Sequence, residues 1–307
     1  MSTQTVFNFP HAICRSVEVV SRYAARLLPF IIWDKLYCQA KYYRIFNEYT
    51  TFAHPLTFNQ KIQWLKLYYR KAEFTNLADK YAVRNFVLRK VGNHILNDLI
   101  GVYSNVDEIN FEGLPSKFAL KATHGCGWNI LCKDKSRLDV GRTKAQLRNW
   151  LGKNFYDIKG EWVYRNIPPK IICEAYLEGE KQHGLMDYKI FCFDGQPIYI
   201  QVDLDRYTNH KRVFYDLNWV KQPFTWFYPA YEAELPRPSK FDLMIDSAKR
   251  LAREIPFCRV DFYDLDTRVV FGEITFYPES GFKHFSPEEY DRKLGDLLVL
   301  PPKNGLS

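Results

Sequence analysis

Residues 257–282, FCRVDFYDLDTRVVFGEITFYPESGF, constrain the fold of this chain more than any other stretch. Two runs rich in Val, Ile, Phe and Tyr, 258–263 and 269–276, flank the polar tetrad Asp264-Leu265-Asp266-Thr267. That is the pattern of two antiparallel strands joined by a turn. Side chains alternate between faces along a strand, so Arg259, Asp261 and Tyr263 share one face and Val260 and Phe262 the other. The same alternation groups Phe271, Glu273 and Thr275 opposite Gly272 and Ile274. Pairing about the turn then brings Asp261 and Glu273 onto one surface. Two carboxylates there are unfavourable unless a cation compensates them. Magnesium suits the task, because it is a hard ion held by one or two carboxylates together with substrate phosphates. A solvated hairpin whose charges face water explains the same spacing, and spacing alone leaves both readings open.

Upstream, the three-four spacing of apolar residues predicts helices across 57–99, with Thr57 and Thr75 as N-caps and Asp79-Lys80 early on the second helix. On a helix surface such an Asp-Lys is ordinarily a solvated pair. Residues 118–121 and 130–133 read as strands flanking Thr123-His124-Gly125-Cys126-Gly127-Trp128-Asn129. Gly125 and Gly127 let backbone N–H groups approach an anion, and Lys121 at the strand end adds a point charge. The loop lacks both the GxxxxGK[ST] of a P-loop and the GxGxxG of a dinucleotide fold. Residues 171–177 form a further apolar strand that includes Glu174, Tyr176 and Leu177, and a fourth run opens with Asp187-Tyr188-Lys189. Asp187 and Lys189 share a face: a carboxylate suits ribose hydroxyls and an ammonium suits phosphate, while an exposed ion pair is the plainer alternative. Arg206, His210, Lys211 and Arg212 cluster near a turn, a surface that could hold an anionic acceptor.

The length of 307 residues predicts about two domains, and 47% hydrophobic with 25% charged residues is ordinary for a soluble chain. A formal charge of +8 favours anionic partners, and the absence of any nucleic-acid-binding signature ranks nucleic acid last among them. Seven cysteines without a CxxC pair argue against a disulfide framework or a zinc site and for a reducing, cytoplasmic setting. Residues 11–33 read as one amphipathic helix, interrupted by Arg15, Arg22 and Arg26. These charges exclude a secretory signal or a membrane-spanning helix, and leave peripheral membrane contact as an option beside packing on the protein itself.

In order, the motifs are Asp79-Lys80, Lys121 with its glycine loop, the Glu174 segment, Asp187-x-Lys189, Arg259-x-Asp261 and Glu273-x-Thr275. This order resembles the ATP-grasp ligases, and the text from Thr57 onward is similar to the teichuronopeptide-biosynthesis branch of that superfamily. The resemblance spans about residues 57–300. It implies an α+β ATP-grasp fold, with a lid (about 75–175) and a larger antiparallel-sheet subdomain gripping ATP. Residues 1–56 form an N-terminal helical extension with no counterpart, and 301–307 a tail. It further implies that Lys80, Lys121, His124, Gly125, Gly127, Glu174, Tyr176, Leu177, Asp187 and Lys189 face the nucleotide. Asp261, Glu273 and Thr275 would hold Mg2+, and Arg259 with Lys189 would act in catalysis. Thr275 stands where the superfamily usually has Asn. The implied activity is carboxylate–amine ligation in bacterial surface-polysaccharide (capsule) biosynthesis, joining an amine donor to a carboxylated glycan acceptor. A sugar kinase on the same fold and a non-catalytic glycan-binding protein are the alternatives.

Overall fold

In the computed structural model, residues 30–179, 185–205, 209–265 and 267–303 are described. The chain opens on α1 (Phe30–Phe46), α2 (Phe58–Tyr68), α3 (Glu73–Ala78) and α4 (Val83–Lys90), then passes into β1 (Leu99–Tyr103), β2 (Phe118–Ala122) and β3 (Asn129–Cys132). Helices α5 (Val140–Leu151) and α6 (Phe155–Lys159) precede β4 (Ile171–Ala175), β5 (Asp187–Phe193), β6 (Gln196–Leu204), β7 (Lys211–Tyr215) and the short β8 (Thr225–Trp226). The remaining elements are α7 (Phe241–Leu251), β9 (Phe257–Leu265), β10 (Arg268–Thr275), β11 (Phe285–Ser286) and α8 (Glu289–Leu297).

Two antiparallel sheets organise these elements into an α+β fold. The smaller has the order β1-β4-β2-β3, the larger β10-β9-β5-β6-β7, and β11 pairs separately with β8. Each has its own core. Leu120, Leu147 and Ile171 anchor the smaller sheet, while Phe58, Phe191, Trp226, Phe257 and Phe262 lie within the larger. Aromatic edges meet within that core: Phe58 meets Phe257 at 5.0 Å and Trp226 at 5.7 Å, both edge-on, which offset ring quadrupoles favour.

Thr57 caps α2 as its sequence predicts, with Gln60 completing a reciprocal capping box. The next helix departs from expectation. Thr75 is not a cap; the helix ends at Ala78, and Asp79 adopts an extended conformation (φ −74°, ψ 116°). Its carboxylate accepts from the N–H groups of Tyr81 (2.8 Å) and Ala82 (3.3 Å), which starts α4 afresh. Lys80 therefore occupies a break between two helices rather than a helix face.

The expected amphipathic helix over 11–33 lies almost wholly outside the described residues, as do Arg206 and Asp266. Helix α1 is no loose extension. Its Tyr37, Cys38 and Tyr42 form a core with Phe52, Leu67 and Phe282. Asp34 accepts hydrogen bonds from Arg70 and from the Tyr156 hydroxyl, both at 2.5 Å. Among the described residues no helix is long and apolar enough to cross a membrane.

Candidate active site

A cleft of about 610 Å³ opens between the two sheets. Its floor is one face of the larger sheet. Cross-strand register places Lys189 opposite Asp261 on one side and Gln201 on the other, and Asp187 opposite Asp203. Asp203 in turn faces Arg212. Because directly opposed residues project from the same face, the sheet lays carboxylates and cations in adjacent rows.

The β9–β10 hairpin confirms the common surface of Asp261 and Glu273, by a route that simple alternation misses. Phe271 pairs with Phe262 and Ile274 with Val260, so the register shifts across Gly272-Glu273. Two residues of β10 here oppose the single Asp261, which is a β-bulge. Phe271, although paired with Phe262, still lines the cleft together with Glu273 and Thr275, as the alternation groups them. Gly272 makes the bulge possible: a Cβ there would come within 3.1 Å of the Asp261 carbonyl oxygen and 3.4 Å of its Cβ.

Arg259 grips Asp261 with two hydrogen bonds, Nε to Oδ1 at 2.7 Å and Nη2 to Oδ2 at 2.6 Å, and donates to Thr275 Oγ1 at 3.3 Å. Its Nη2 also lies 3.6 Å from Glu273, whose other oxygen is 3.6 Å from Lys80 Nζ. Thr275 donates to Glu273 at 3.1 Å. Lys189 donates to Asp187 and lies 3.4 Å from Asp261 and 3.6 Å from Asp203. Burial pushes the Glu273 carboxyl up, but Lys80, Arg259 and Lys189 outweigh it and hold the group down at about 2. For Asp261 burial prevails against Arg259 and Lys189 and raises the carboxyl above its ordinary value. Two carboxylates and a hydroxyl on one wall, facing Lys80 and Lys189, form a donor set that fits magnesium shared with phosphates.

The smaller sheet supplies the roof. Lys121 pairs with Asn129 across β2–β3, and the loop between them reverses at Gly127, whose φ of +73° is a conformation other residues adopt at a cost. At Gly125 a Cβ would lie 2.6 Å from the Trp128 ring, so only glycine lets the loop close over that indole. Lys80 reaches this loop twice, through its N–H to Thr123 O (3.2 Å) and its Nζ to Gly125 O (2.6 Å). Glu174 is buried and takes Lys121 (2.7 Å) and Arg84 (3.0 Å), one on each oxygen. Thus Glu174 orients Lys121 towards the cleft.

Not every expected residue converges. His124 is turned away: it is buried, with Nε2 3.0 Å from the Trp150 carbonyl and its ring edge-on to Trp128. Tyr176 and Leu177 lie past the end of β4 and do not line the cleft, whereas Ile172, Glu174 and Asn129 do. Of the basic cluster near the turn, Arg212 is committed to structure, since it is buried and bound to Asp203 at 2.7 Å and to the Trp226 carbonyl at 2.8 Å. Arg84, Asp203 and Glu161 also line the cleft. No spacing marks them in the sequence; the helix restart at Asp79 brings in Arg84, strand register Asp203, and the turn after α6 Glu161.

Beyond β10 the chain takes a strained path. Glu279, Ser280 and Gly281 are successive left-handed residues, with φ of 50°, 55° and 65°. Gln63 holds the carbonyls of Ser280 (2.9 Å) and Gly281 (2.8 Å), and Lys66 the former (3.0 Å), from α2. Ser280 donates its hydroxyl to the buried Glu161.

The sequence model of the TupA-like ATP-grasp family matches residues 60–299. No curated protein matches the chain. Among solved structures it is similar to D-alanine–D-alanine ligase from Bacillus anthracis complexed with ATP, at 14% identity over 72% of this chain and 63% of that one, with TM-score 0.40. The chain thus spans less than two thirds of that ligase. It is also similar to a RimK-domain ATP-grasp protein from Sphaerobacter thermophilus, at 11% identity over 75% of this chain and 70% of that one, TM-score 0.40. A third is N5-carboxyaminoimidazole synthase from Aspergillus clavatus, at 12% identity over 74% and 53%, TM-score 0.39. With the family match covering most of its length and the two-sheet cleft assembled from the motifs in their order, the chain belongs to the TupA-like ATP-grasp family.

Proposed function

We propose that this protein is an ATP- and magnesium-dependent carboxylate–amine ligase, joining an amine or amino acid to a uronic-acid carboxylate of a bacterial surface polysaccharide or its precursor. The observation that carries the reading is the convergence of Asp261, Glu273, Thr275, Lys189 and Arg259 on one wall of the cleft with Lys80 facing them. Phosphoryl transfer needs positioning and charge neutralisation more than it needs a protein nucleophile, and this wall offers both.

Bound ATP would supply the phosphoryl group that activates the carboxylate, and magnesium the charge neutralisation that this transfer requires. Asp261 and Glu273 would hold the metal, with Thr275 orienting Glu273. Lys80 and Lys121 would face the phosphates from the roof and Lys189 from the floor. Asp187, beside Lys189, would accept from the ribose hydroxyls. Arg259, fixed by two bonds to Asp261 near the start of β9, would stabilise oxyanion character as the amine attacks.

The deciding experiment is mass spectrometry of reactions holding ATP, magnesium, uronic-acid acceptors and mixed amino acids. Amine-dependent ADP release with an amide product is expected. ADP release without amine, with a phosphorylated sugar, would replace the ligase by a kinase. Absence of nucleotide binding would leave a glycan-binding protein.

A further inference from the structure

Among the described residues seven carboxylates line the cleft, and six of them face a cation at ion-pair distance. Glu174 meets Lys121 and Arg84, and Asp187 meets Lys189. Asp203 and Glu279 share Arg212, Asp261 is held by Arg259, and Glu273 faces Lys80. Glu161 is the exception. It is buried, only 7% exposed, yet among the described residues no cation comes into ion-pair contact with it. The Ser280 hydroxyl donates to its Oε1, and among the described residues Oε2 accepts no hydrogen bond.

The turn that carries Glu161 is pinned. Trp162 donates its indole N–H to the Tyr277 hydroxyl at 2.7 Å, and the buried Tyr164 donates its N–H to the Glu161 carbonyl at 3.1 Å. From the other side, Gln63 and Lys66 hold the Ser280 carbonyl at 2.9 and 3.0 Å, which presents the Ser280 hydroxyl to Glu161. Lys66, whose charge acts on Glu161 more than any other, is thereby committed to that carbonyl, and its Nζ lies 4.4 Å from the centre of the Phe282 ring. Burial raises the Glu161 carboxyl above its ordinary value; Lys66, the Ser280 hydrogen bond, Lys159 and Lys41 oppose it without prevailing. Such a carboxylate is a stronger base than one on the surface. Burial, then Glu161, then Glu273 raise the Tyr164 hydroxyl while Arg259 opposes them, so all three side chains act on one buried ring. Glu161 therefore belongs to the same stretch of the cleft as the metal-holding wall.

A buried carboxylate without a cation is unfavourable until something supplies one. Of the three reactants of a carboxylate–amine ligase, ATP and the acceptor are anions, and Glu161 repels both. The amine, protonated at neutral pH, is a cation with N–H donors to offer. We infer that Glu161 is the amine subsite: its Oε2 binds the donor as an ammonium and takes one proton from it, and Ser280 positions the carboxylate. This rests on the ligase reading and names the residue that receives its third substrate. The ammonium gives one proton to Oε2, and the freed lone pair attacks the acyl carbon. The C–N bond forms as the C–O bond to phosphate breaks, and phosphate leaves with that electron pair and a second proton from the nitrogen. Glu161 then returns its proton to water.

The test compares two kinds of nucleophile on the full chain with ATP, magnesium and either tetraglucuronate or UDP-glucuronate. Hydroxylamine is unprotonated at neutral pH and captures an acyl phosphate as a hydroxamate without a base. A mixture of the proteinogenic amino acids with ethylamine arrives as ammonium ions. Hydroxamate and amide are counted by mass spectrometry for the wild type, Glu161→Gln and Glu161→Asp. Glutamine keeps an acceptor for Ser280, and ATP-induced thermal stabilisation shows that each variant is folded. The Gln variant should keep hydroxamate within about twofold of wild type and lose amide by about 100-fold or more, the scale of general acid–base catalysis. The Asp variant, which keeps the charge, should recover amide above the Gln variant. Amide that is unchanged in a folded Gln variant, or that falls in step with hydroxamate, overturns the amine subsite and leaves the ligase reading standing. Hydroxamate without any amide from the wild type shows that no ammonium is admitted and also overturns the subsite alone. No hydroxamate from the wild type overturns the ligase reading and the subsite with it.

Discussion

Glu273 is caught between burial, which favours its neutral form, and three cations that keep it ionised. A carboxylate held at about 2 is ready to accept a metal without first losing a proton. Glu273→Gln keeps the shape and removes the charge. Magnesium-dependent ADP release should fall by about 2–4 kcal/mol of transition-state stabilisation, the scale for losing one preorganised electrostatic contact. Asp261→Asn should act alike, and the double variant should be less than additive because both act on one site. Glu279 is a poor control, since it touches Arg212 and lies on the strained path. The exposed Asp246, bound to its helix neighbour Arg250 at 2.9 Å, is the better one, and Asp246→Asn should leave turnover unchanged. Lys121→Ala should weaken ATP binding by about 1.5–3 kcal/mol, the range for hydrogen bonds to charged groups, with the exposed Lys133→Ala unaffected in the same titration. Asp203 offers a stability test. Burial would raise its carboxyl, but Arg212 and Lys189 pull it well below its ordinary value of 3.8. A depressed carboxylate contributes stability that is complete above the unfolded value and is lost as pH falls through the folded one. Asp203→Asn, which leaves buried Arg212 short of its partner, should cost about 3–5 kcal/mol in urea unfolding at neutral pH. The gap to wild type should close progressively as the buffer is acidified below 3.8.

Helix α1 shows how an element's importance can escape its sequence. Its buried residues Tyr37, Cys38 and Tyr42 succeed one another at short helical spacing, as in any amphipathic helix, and nothing in them names their partners. Those partners lie far along the chain at Leu67 and Phe282, and Asp34 joins Arg70 to Tyr156. Truncation therefore has a sharp boundary. Removing residues 1–29 should preserve ATP-induced thermal stabilisation, because every residue proposed to face the nucleotide lies between Lys80 and Thr275. Removing residues 1–46 should lower the melting temperature markedly, since each fully buried large side chain contributes about 1.5–3 kcal/mol. Equal melting temperatures for the two truncations would show that α1 packs too weakly to shape the cleft.

The whole molecule carries a formal charge of +8, and among the described residues that line its cleft lysines and arginines outnumber carboxylates. An electrostatically guided acceptor should respond to salt, because the Debye length shrinks from about 10 Å at 0.1 M to about 3 Å at 1 M. Association of tetraglucuronate, monitored by stopped-flow tryptophan fluorescence, should slow at least tenfold over that range. Dissociation should change much less, since steering acts mainly on encounter. A salt-independent association rate would mean that the charge plays no part in capture.

The chain's order of motifs determined its family and the two strands that carry Asp261 and Glu273. Their alternation and turn are local properties, readable from neighbouring residues. The N-cap at Thr57 was legible for the same reason. The bulge at Gly272-Glu273 was not, because it is a relation between two strands and leaves no period of its own. The break at Asp79 depended on a side chain competing with the helix for its backbone N–H groups. His124 looked like a phosphate-loop residue until packing against Trp150 and Trp128 turned it inward. The packing of α1 was hidden altogether: α1, α6 and the strained 279–283 path lie far apart in the chain. Only tertiary packing of Tyr37, Tyr42 and Phe282, with Gln63 clamping the strained carbonyls, brings α1 and that path together.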